Sequence, residues 1–194
     1  MALIIDMGVR GNGGEILHPQ MKNKWRLSFN GIGGLIDSQP LTVQAISCDR
    51  PKLSFEPVTL DRYNSRAYIA GKHQFDPINA TFEADIGGGV ATVIRNQLEL
   101  QQRIIGIGSA PRLPSAVAGQ DYKFSITQKI LDGDNTPLEV WYIEGAWIEN
   151  ADWTDLDYAA SETVKITLSL RYDHARQQIL GTPGRATGGM APVL

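Results

Sequence analysis

LEVWYIEGAWIENADWTDLDYAASETVKITLSLRYDH, Leu138 to His174, is the stretch that decides the fold. Its closing run, Thr163 to Tyr172, alternates with a period of two. Val164, Ile166, Leu168, Leu170 and Tyr172 fall on one side, and Thr163, Lys165, Thr167, Ser169 and Arg171 on the other. That period marks a strand with one apolar and one polar face. Glu139 to Trp147 is rich in β-branched and aromatic residues and is interrupted by Gly145. A glycine inside a strand marks a bulge or the close approach of another backbone. The acidic link Glu149–Glu162 joins the two strands. A polar face full of Thr, Ser, Lys and Arg either meets bulk solvent or lines a wet channel.

Composition sets outer limits. At 194 residues the chain suits one domain with extensions, or at most two small ones. A hydrophobic fraction of 42% with 20% charged residues is that of a globular protein with a core. Net charge −3 and a pI near 5.6 argue against a protein that grips nucleic acid through its phosphates, though not against one that passes DNA without holding it. The single cysteine, Cys48, leaves no internal disulfide, fits a reducing compartment, and reads as a packed side chain. No apolar run reaches membrane-spanning length and the start does not read as a signal peptide, so a cytosol-like site of synthesis is expected.

Outward from the deciding stretch, the other segments read mostly as strands. Residues 1–22 contain Gly11, Gly13 and Gly14 and read as an arm ordered on a neighbour. Lys24–Asn30 places Trp25, Leu27 and Phe29 on one face, and Leu41–Ser47 reads as a second strand. Residues 52–71, with turn residues Asn64–Ser65, read as a long hairpin with little apolar alternation of its own. Asn79–Ile86 alternates, with Ala80, Phe82, Ala84 and Ile86 inward and Asn79, Thr81, Glu83 and Asp85 outward. Residues 90–103 are the one convincing helix, with Val90, Val93, Ile94 and Leu98 at helical spacing. Residues 104–120 read as a surface loop, Asp121–Leu131 as another strand, and 175–194 as a flexible tail or arm.

Chemistry-bearing patterns do not assemble. Gly87–Gly89 leads into a helix, where free amides suit a phosphate, but no Gly-Lys-Ser/Thr follows. Asp132–Asn135 looks faintly like a calcium loop, but the twelfth position holds Ile143, so a hairpin turn is expected. His18, His73 and His174 share no metal-ligand spacing, and Asp152, Asp155, Asp157 and Glu162 read as a solvated link. There is no Gly-x-Ser-x-Gly elbow. No catalytic residue, metal or cofactor is assigned.

Two stretches carry a family resemblance: INATFEADIGGGVATVIRNQLELQQ, and EVWYIEGAWIENADWTDLDYAASETVKITLSLRYD. Between about Lys24 and His174 the chain resembles the tail tube proteins of contractile-tailed bacteriophages, and is similar to the tubes of R-type pyocins and type VI secretion. The glycine-rich N-terminus and the tail past His174 depart from the smaller members of that family.

The resemblance implies a mainly β fold of two packed antiparallel sheets, a β-sandwich or barrel with one flanking helix and a long protruding hairpin. It implies a structural virion protein rather than an enzyme. Hexameric rings, their inner sheets joined in one barrel, would stack into a tube that conducts DNA after sheath contraction. Implied partners are further copies of the chain, the tail sheath, baseplate and tail terminator proteins, and the tape measure protein followed by genomic DNA in the lumen, with no stable membrane association. The expected location is the phage tail, after assembly in the host cytoplasm. Three surfaces are assigned on this basis. Asn79, Thr81, Glu83 and Asp85 line the lumen, ahead of the Lys165/Arg171 face. Asp61, Arg62, Tyr63, Asn64, Ser65, Arg66 and Tyr68 make ring-to-ring contacts together with the N-terminal arm. Arg95, Gln97, Glu99 and Gln102 face the sheath. The alternatives are a bacteriocin or secretion tube that carries no genome, and a monomeric β-barrel that binds a ligand.

Overall fold

A computed structural model describes residues 20–34, 38–102, 122–159 and 161–181. Most of the N-terminal arm, the 104–120 loop and much of the C-terminal tail fall outside these residues. Nine strands and two helices run in chain order among the described residues. They are β1 Trp25–Asn30, α1 Gln39–Val43, β2 Ala45–Cys48, β3 Lys52–Arg62, β4 Ser65–Asp76, β5 Ile78–Glu83, α2 Gly89–Gln102, β6 Phe124–Leu131, β7 Pro137–Trp153, β8 Lys165–Arg171 and β9 His174–Ile179. Seven strands form one sheet in the order β1-β6-β7-β8-β5-β2, with β9 also paired to β7, and β3 and β4 form the second sheet alone. The fold is mainly β with two antiparallel sheets, as expected, though the sheets are unequal and neither closes into a barrel in the single chain.

The described residues divide into two compact units. In the smaller (20–26, 129–141 and 177–181), Leu131 N–H donates to the Lys24 carbonyl at 2.9 Å, and the Leu180 and Gly181 amides donate to the Leu138 carbonyl. The 132–136 turn closes on Asp132, whose Oδ1 accepts from the Asp134 and Thr136 amides at 2.8 and 3.0 Å. Asp132 thus ties a hairpin turn.

The larger unit (27–34, 38–102, 122–128, 142–159 and 161–176) holds a core of Leu27, Phe29, Phe82, Phe124, Ile126, Ile143, Ile166, Leu168 and Leu170 with Val90, Val93 and Ile94 of α2, all buried. Phe29 lies with its ring centroid 5.8 Å from Phe82 and 6.3 Å from Phe124, tilted against both. Each such side chain stabilises the fold by about 1.5–3 kcal/mol through burial. The alternation in β8 holds: Ile166, Leu168 and Leu170 are buried, and Tyr172 just past the strand is 5% exposed. Val164 precedes the strand and stays exposed.

Several expectations are corrected. Leu41–Ser47 is not one strand: Gln39–Val43 is a helical turn with Pro40 in its opening positions, and only Ala45–Cys48 extends. Proline is pre-organised for a helix start, and so short an apolar run does not distinguish the two periods. β7 runs on through the start of the acidic link to Trp153, so the link proper is 154–164. Its polar residues Glu149, Asn150 and Asp152 conceal the strand, which β8 secures by pairing. β9 takes up residues beyond 174 that the sequence reads as tail, because its side chains are mostly polar and exposed and leave no apolar stripe. Ile86, expected inward, lies in the turn after β5 and is fully exposed.

Candidate assembly surfaces

The β3–β4 hairpin is longer than 52–71, reaching Asp76, and every β3 residue is exposed. Pairing runs from Lys52↔Asp76 to Arg62↔Ser65 and slips once between Phe55↔His73 and Pro57↔Ala70. Gly71 and Lys72 therefore stand opposite Glu56 alone, a bulge that bends the ribbon. A Cβ on Gly71 would meet the Glu56 carbonyl oxygen at 2.6 Å, so the close approach requires glycine. The register also shows alternation that the sequence reading missed. Near the base, Leu53 and Phe55 share a face with Phe75 and His73; beyond the bulge, Val58 and Leu60 share the opposite face with Ile69 and Ala67. Leu53, Phe55, Val58, Leu60, Tyr68 and Ile69 are all exposed in the single chain.

An aromatic ladder holds the base of the hairpin. His73 lies 5.6 Å from Phe75, edge-on, and Phe75 lies 5.4 Å from Tyr172 and 5.9 Å from His174. Two histidines far apart in sequence thus flank one phenyl ring, where edge-to-face packing adds to burial. At the tip, Asp61 and Arg66 form an exposed ion pair at 2.8 Å, flanked by Arg62, Asn64, Ser65 and a fully exposed Tyr63.

The polar sheet face is one surface. Sequence treats Asn79/Thr81/Glu83 and Lys165/Arg171 as competing faces, yet the register pairs Asn79↔Ser169, Thr81↔Thr167 and Glu83↔Lys165. Paired residues point the same way. The Thr81 and Thr167 hydroxyls lie 3.3 Å apart, Ser47 pairs with Thr81 from β2, and Asp152 pairs with Thr167 from β7. Arg171 is held by Glu149 at 2.9 Å, and Asn79 Nδ2 donates to Asp49 Oδ2 at 3.1 Å. The result is a hydroxyl- and amide-rich wall on which Lys165 and Arg171 stand among Glu83, Glu149, Asp152 and Asp49.

Asp85 is not part of that wall. It lies beyond the end of β5, and its carboxylate accepts from the Gly89 and Val90 amides at 3.0 and 3.1 Å. These bonds hold its pKa below the usual carboxylate value of 3.8. They also occupy the amides that a phosphate would need, so Asp85 caps the helix that the glycine run opens.

Helix α2 corrects one sheath-facing assignment. Gln97 is 0% exposed: its Oε1 accepts from Gly33 N–H at 2.8 Å and its Nε2 donates to the Tyr122 carbonyl at 2.6 Å. Gln101, one turn on, donates to the Ile148 carbonyl at 3.0 Å and accepts from the Ile148 amide at 3.2 Å. Ile148 precedes a β7 bulge, and the glutamine supplies both bonds that its backbone needs there. Arg95 is exposed and pairs with the part-buried Glu99 at 3.5 Å, leaving Ala91, Thr92, Arg95 and Asn96 as the outer face; Gln102 ends the helix. A helix whose buried contacts include amides looks polar by sequence on the side that faces inward.

Cys48 is half-buried, its thiol near the Asp49 carbonyl at 3.3 Å, and burial with the Asp49 charge pushes its pKa up to about 12. That is a packed thiol rather than a nucleophile. Among the described residues no cluster of three or more His, Cys, Asp or Glu is arranged to hold a metal ion, and no helix is long and apolar enough to cross a membrane. His18 lies outside the described residues.

An uneven pair of antiparallel sheets, a capped helix and an exposed bulged hairpin make up the described architecture. No protein-family profile matches the chain. By structure it is similar to a chain of the anti-feeding prophage tube terminating cap, with TM-score 0.63 and 15% identity over 84% of this chain and 93% of that one. It is similar to a chain of the PVC sheath–tube complex of an extracellular contractile injection system, with TM-score 0.62, 14% identity, and 84% and 93% covered. It is also similar to the SPP1 tail tube, with TM-score 0.53, 14% identity, and 84% and 81% covered. By sequence it is 23% identical over 172 residues to the tail tube protein of Serratia phage KSP90, covering 87% of this chain and 92% of that protein. The chain thus shares its fold with tube chains of contractile injection systems and is similar in sequence to a phage tail tube protein.

Proposed function

We propose that this chain forms hexameric rings that stack into the inner tube of a contractile phage tail, conducting DNA into the host after sheath contraction. The observation that carries this reading is the β3–β4 hairpin, which exposes apolar residues on one face near its base and on the other beyond the bulge. A ribbon with so much exposed apolar surface is stabilised by covering it with other subunits. In this reading Asp61–Tyr68 and the N-terminal arm carry ring-to-ring contacts. The sheet face of Asn79, Thr81 and Glu83, together with Thr167 and Ser169, lines the lumen, and ring closure joins the edge strands into a barrel. A wall without an excess of basic side chains lets phosphates slide past, where a basic wall would bind them. The helix face around Arg95 and Glu99 meets the sheath, and baseplate and terminator proteins meet the two ends. The relatives support these partners, since their structures include a sheath–tube complex, a six-fold baseplate and a tube cap. The protein then resides in the virion tail after assembly in the host cytoplasm, and acts without a cofactor.

The test is electron microscopy of purified protein and of a variant with Arg62–Arg66 shortened to a two-residue turn. Hollow tubes from the parent and folded, unassembled subunits from the variant are expected; normal tubes from the variant refute the hairpin's role. A second reading, a tube of an injection system without a genome, is favoured by the higher TM-scores to the prophage and PVC chains than to the SPP1 tube. Native particles with DNA-filled heads decide for the phage, and headless particles for the injection system.

A further inference from the structure

The link between β7 and β8 is not a plain solvated loop. It carries Asp155, Asp157 and Glu162 and no cation between residues 154 and 164. Yet Leu156 is 83% exposed and Tyr158 is fully exposed, with Trp153 and Val164 also exposed at the loop's two ends. The base of the loop is fixed, because Thr154 donates to the Lys165 carbonyl from its hydroxyl at 2.7 Å and from its amide at 3.2 Å. Between Leu156, Tyr158, Val164 and the three carboxylates lies a surface cavity of about 290 Å³. None of those carboxylates makes an ion pair among the described residues. Apolar side chains rimmed by unpaired charge of one sign mark a surface that takes a partner of the opposite sign.

We propose that this loop of one copy seats the β3–β4 hairpin tip of a second copy. The tip is the complement on the same chain: Tyr63 is fully exposed, Arg62 makes no ion pair among the described residues, and two arginines stand against the single Asp61. Tip and seat are different surfaces, so each copy offers one of each. A contact of that kind is head-to-tail and propagates from copy to copy rather than closing on a pair. Stacked rings require such a contact. The inference rests on the reading of the hairpin as the ring-to-ring element and names what receives it.

The test uses charge reversal in the full-length chain, with tube mass measured by sedimentation and microscopy. Asp155→Lys with Asp157→Lys, and separately Arg62→Glu, are each expected to reduce tube yield about tenfold or more, since like charges then face each other. Combining all three substitutions is expected to restore most of the yield. Unchanged yield in the single-sided variants, or impairment without recovery in the combination, overturns the pairing. A second measurement guards against misfolding: Tyr63→Cys chains are mixed with Tyr158→Cys chains, both with Cys48→Ala, and mildly oxidised. A disulfide-linked dimer from the mixture, absent from either chain alone, is expected; its absence counts against the seat. If the shortened hairpin stops assembly while the loop variants assemble normally, the hairpin's role stands and the seat is wrong. If the shortened hairpin assembles normally, both ideas fall. Loop variants that form normal tubes but no longer take sheath assign the loop to the sheath and overturn the proposal.

Discussion

The carboxylate of Asp173 occupies the space into which a side chain on Gly145 would grow. A Cβ at that glycine would lie 2.8 Å from Asp173 Cγ and 3.1 Å from its Cβ, and still closer to Oδ2. Gly145 also has φ +70°, a conformation that L side chains rarely adopt. The Asp173 amide donates to the Glu144 carbonyl at 3.1 Å, and Lys123 Nζ holds Asp173 Oδ2 at 2.6 Å, so the carboxylate is tied in place.

Gly145→Ala is therefore expected to destabilise the subunit by about 1–3 kcal/mol, from backbone strain and the clash together. Adding Asp173→Ala removes the carboxylate from the clash and leaves the backbone strain and the 3.1 Å approach to Cβ, so the double variant is expected to cost less than the sum of the two singles. Denaturant unfolding of unassembled subunits measures this; strict additivity would show that the two residues do not meet.

Gln97→Ala and Gln101→Ala each strip hydrogen bonds from buried or part-buried backbone groups. A loss of about 1–3 kcal/mol is expected for each. Amide exchange at Ile148 is expected to quicken in Gln101→Ala alone, since Gln101 is that amide's acceptor. Equal exchange in the two variants would count against the assignment.

The Asp85 cap gives a pH dependence of known sign. The Gly89 and Val90 amides lower its folded pKa from the ordinary 3.8, so its contribution is complete above that value and fades as pH falls through the lowered one. Asp85→Asn is expected to be less stable than the parent at neutral pH, with the gap closing in acid. A gap that widens in acid would reverse the sign and remove the cap argument.

Gly71→Ala forces the β3–β4 ribbon to give way at the Glu56 carbonyl. The hairpin contributes little to the core, so thermal unfolding is expected to shift little while tube yield falls steeply. Unchanged yield would show that the bend does not matter to assembly.

Strand periodicity is legible where one face is apolar. Ile166, Leu168 and Leu170 announce β8, and Val90, Val93 and Ile94 announce α2, because burial and hydrophobicity coincide there. Gly145 reads as a special backbone position from its type alone, since few other residues tolerate such a place in a strand. The family resemblance follows from these same patterns in order.

Pairing across the sheet carries no such local signal. Sequence alternation states that Thr81 and Thr167 are polar positions on strands, but only the register of β5 on β8 puts them on one face, 3.3 Å apart. The same holds for the hairpin, whose apolar faces emerge once Val58 pairs with Ile69. Gln97 and Asp85 look solvent-facing because glutamine and aspartate usually are; Asp85 is taken up by the nearby amides that open α2, and Gln97 is turned inward by the Gly33 amide, a demand set by a distant segment. The sequence by itself determined which residues alternate, and hence the β class and its single long helix. The tertiary structure decided which polar residues are surface and which are structural, because hydrogen bonds between segments remote in the chain leave no periodicity to read.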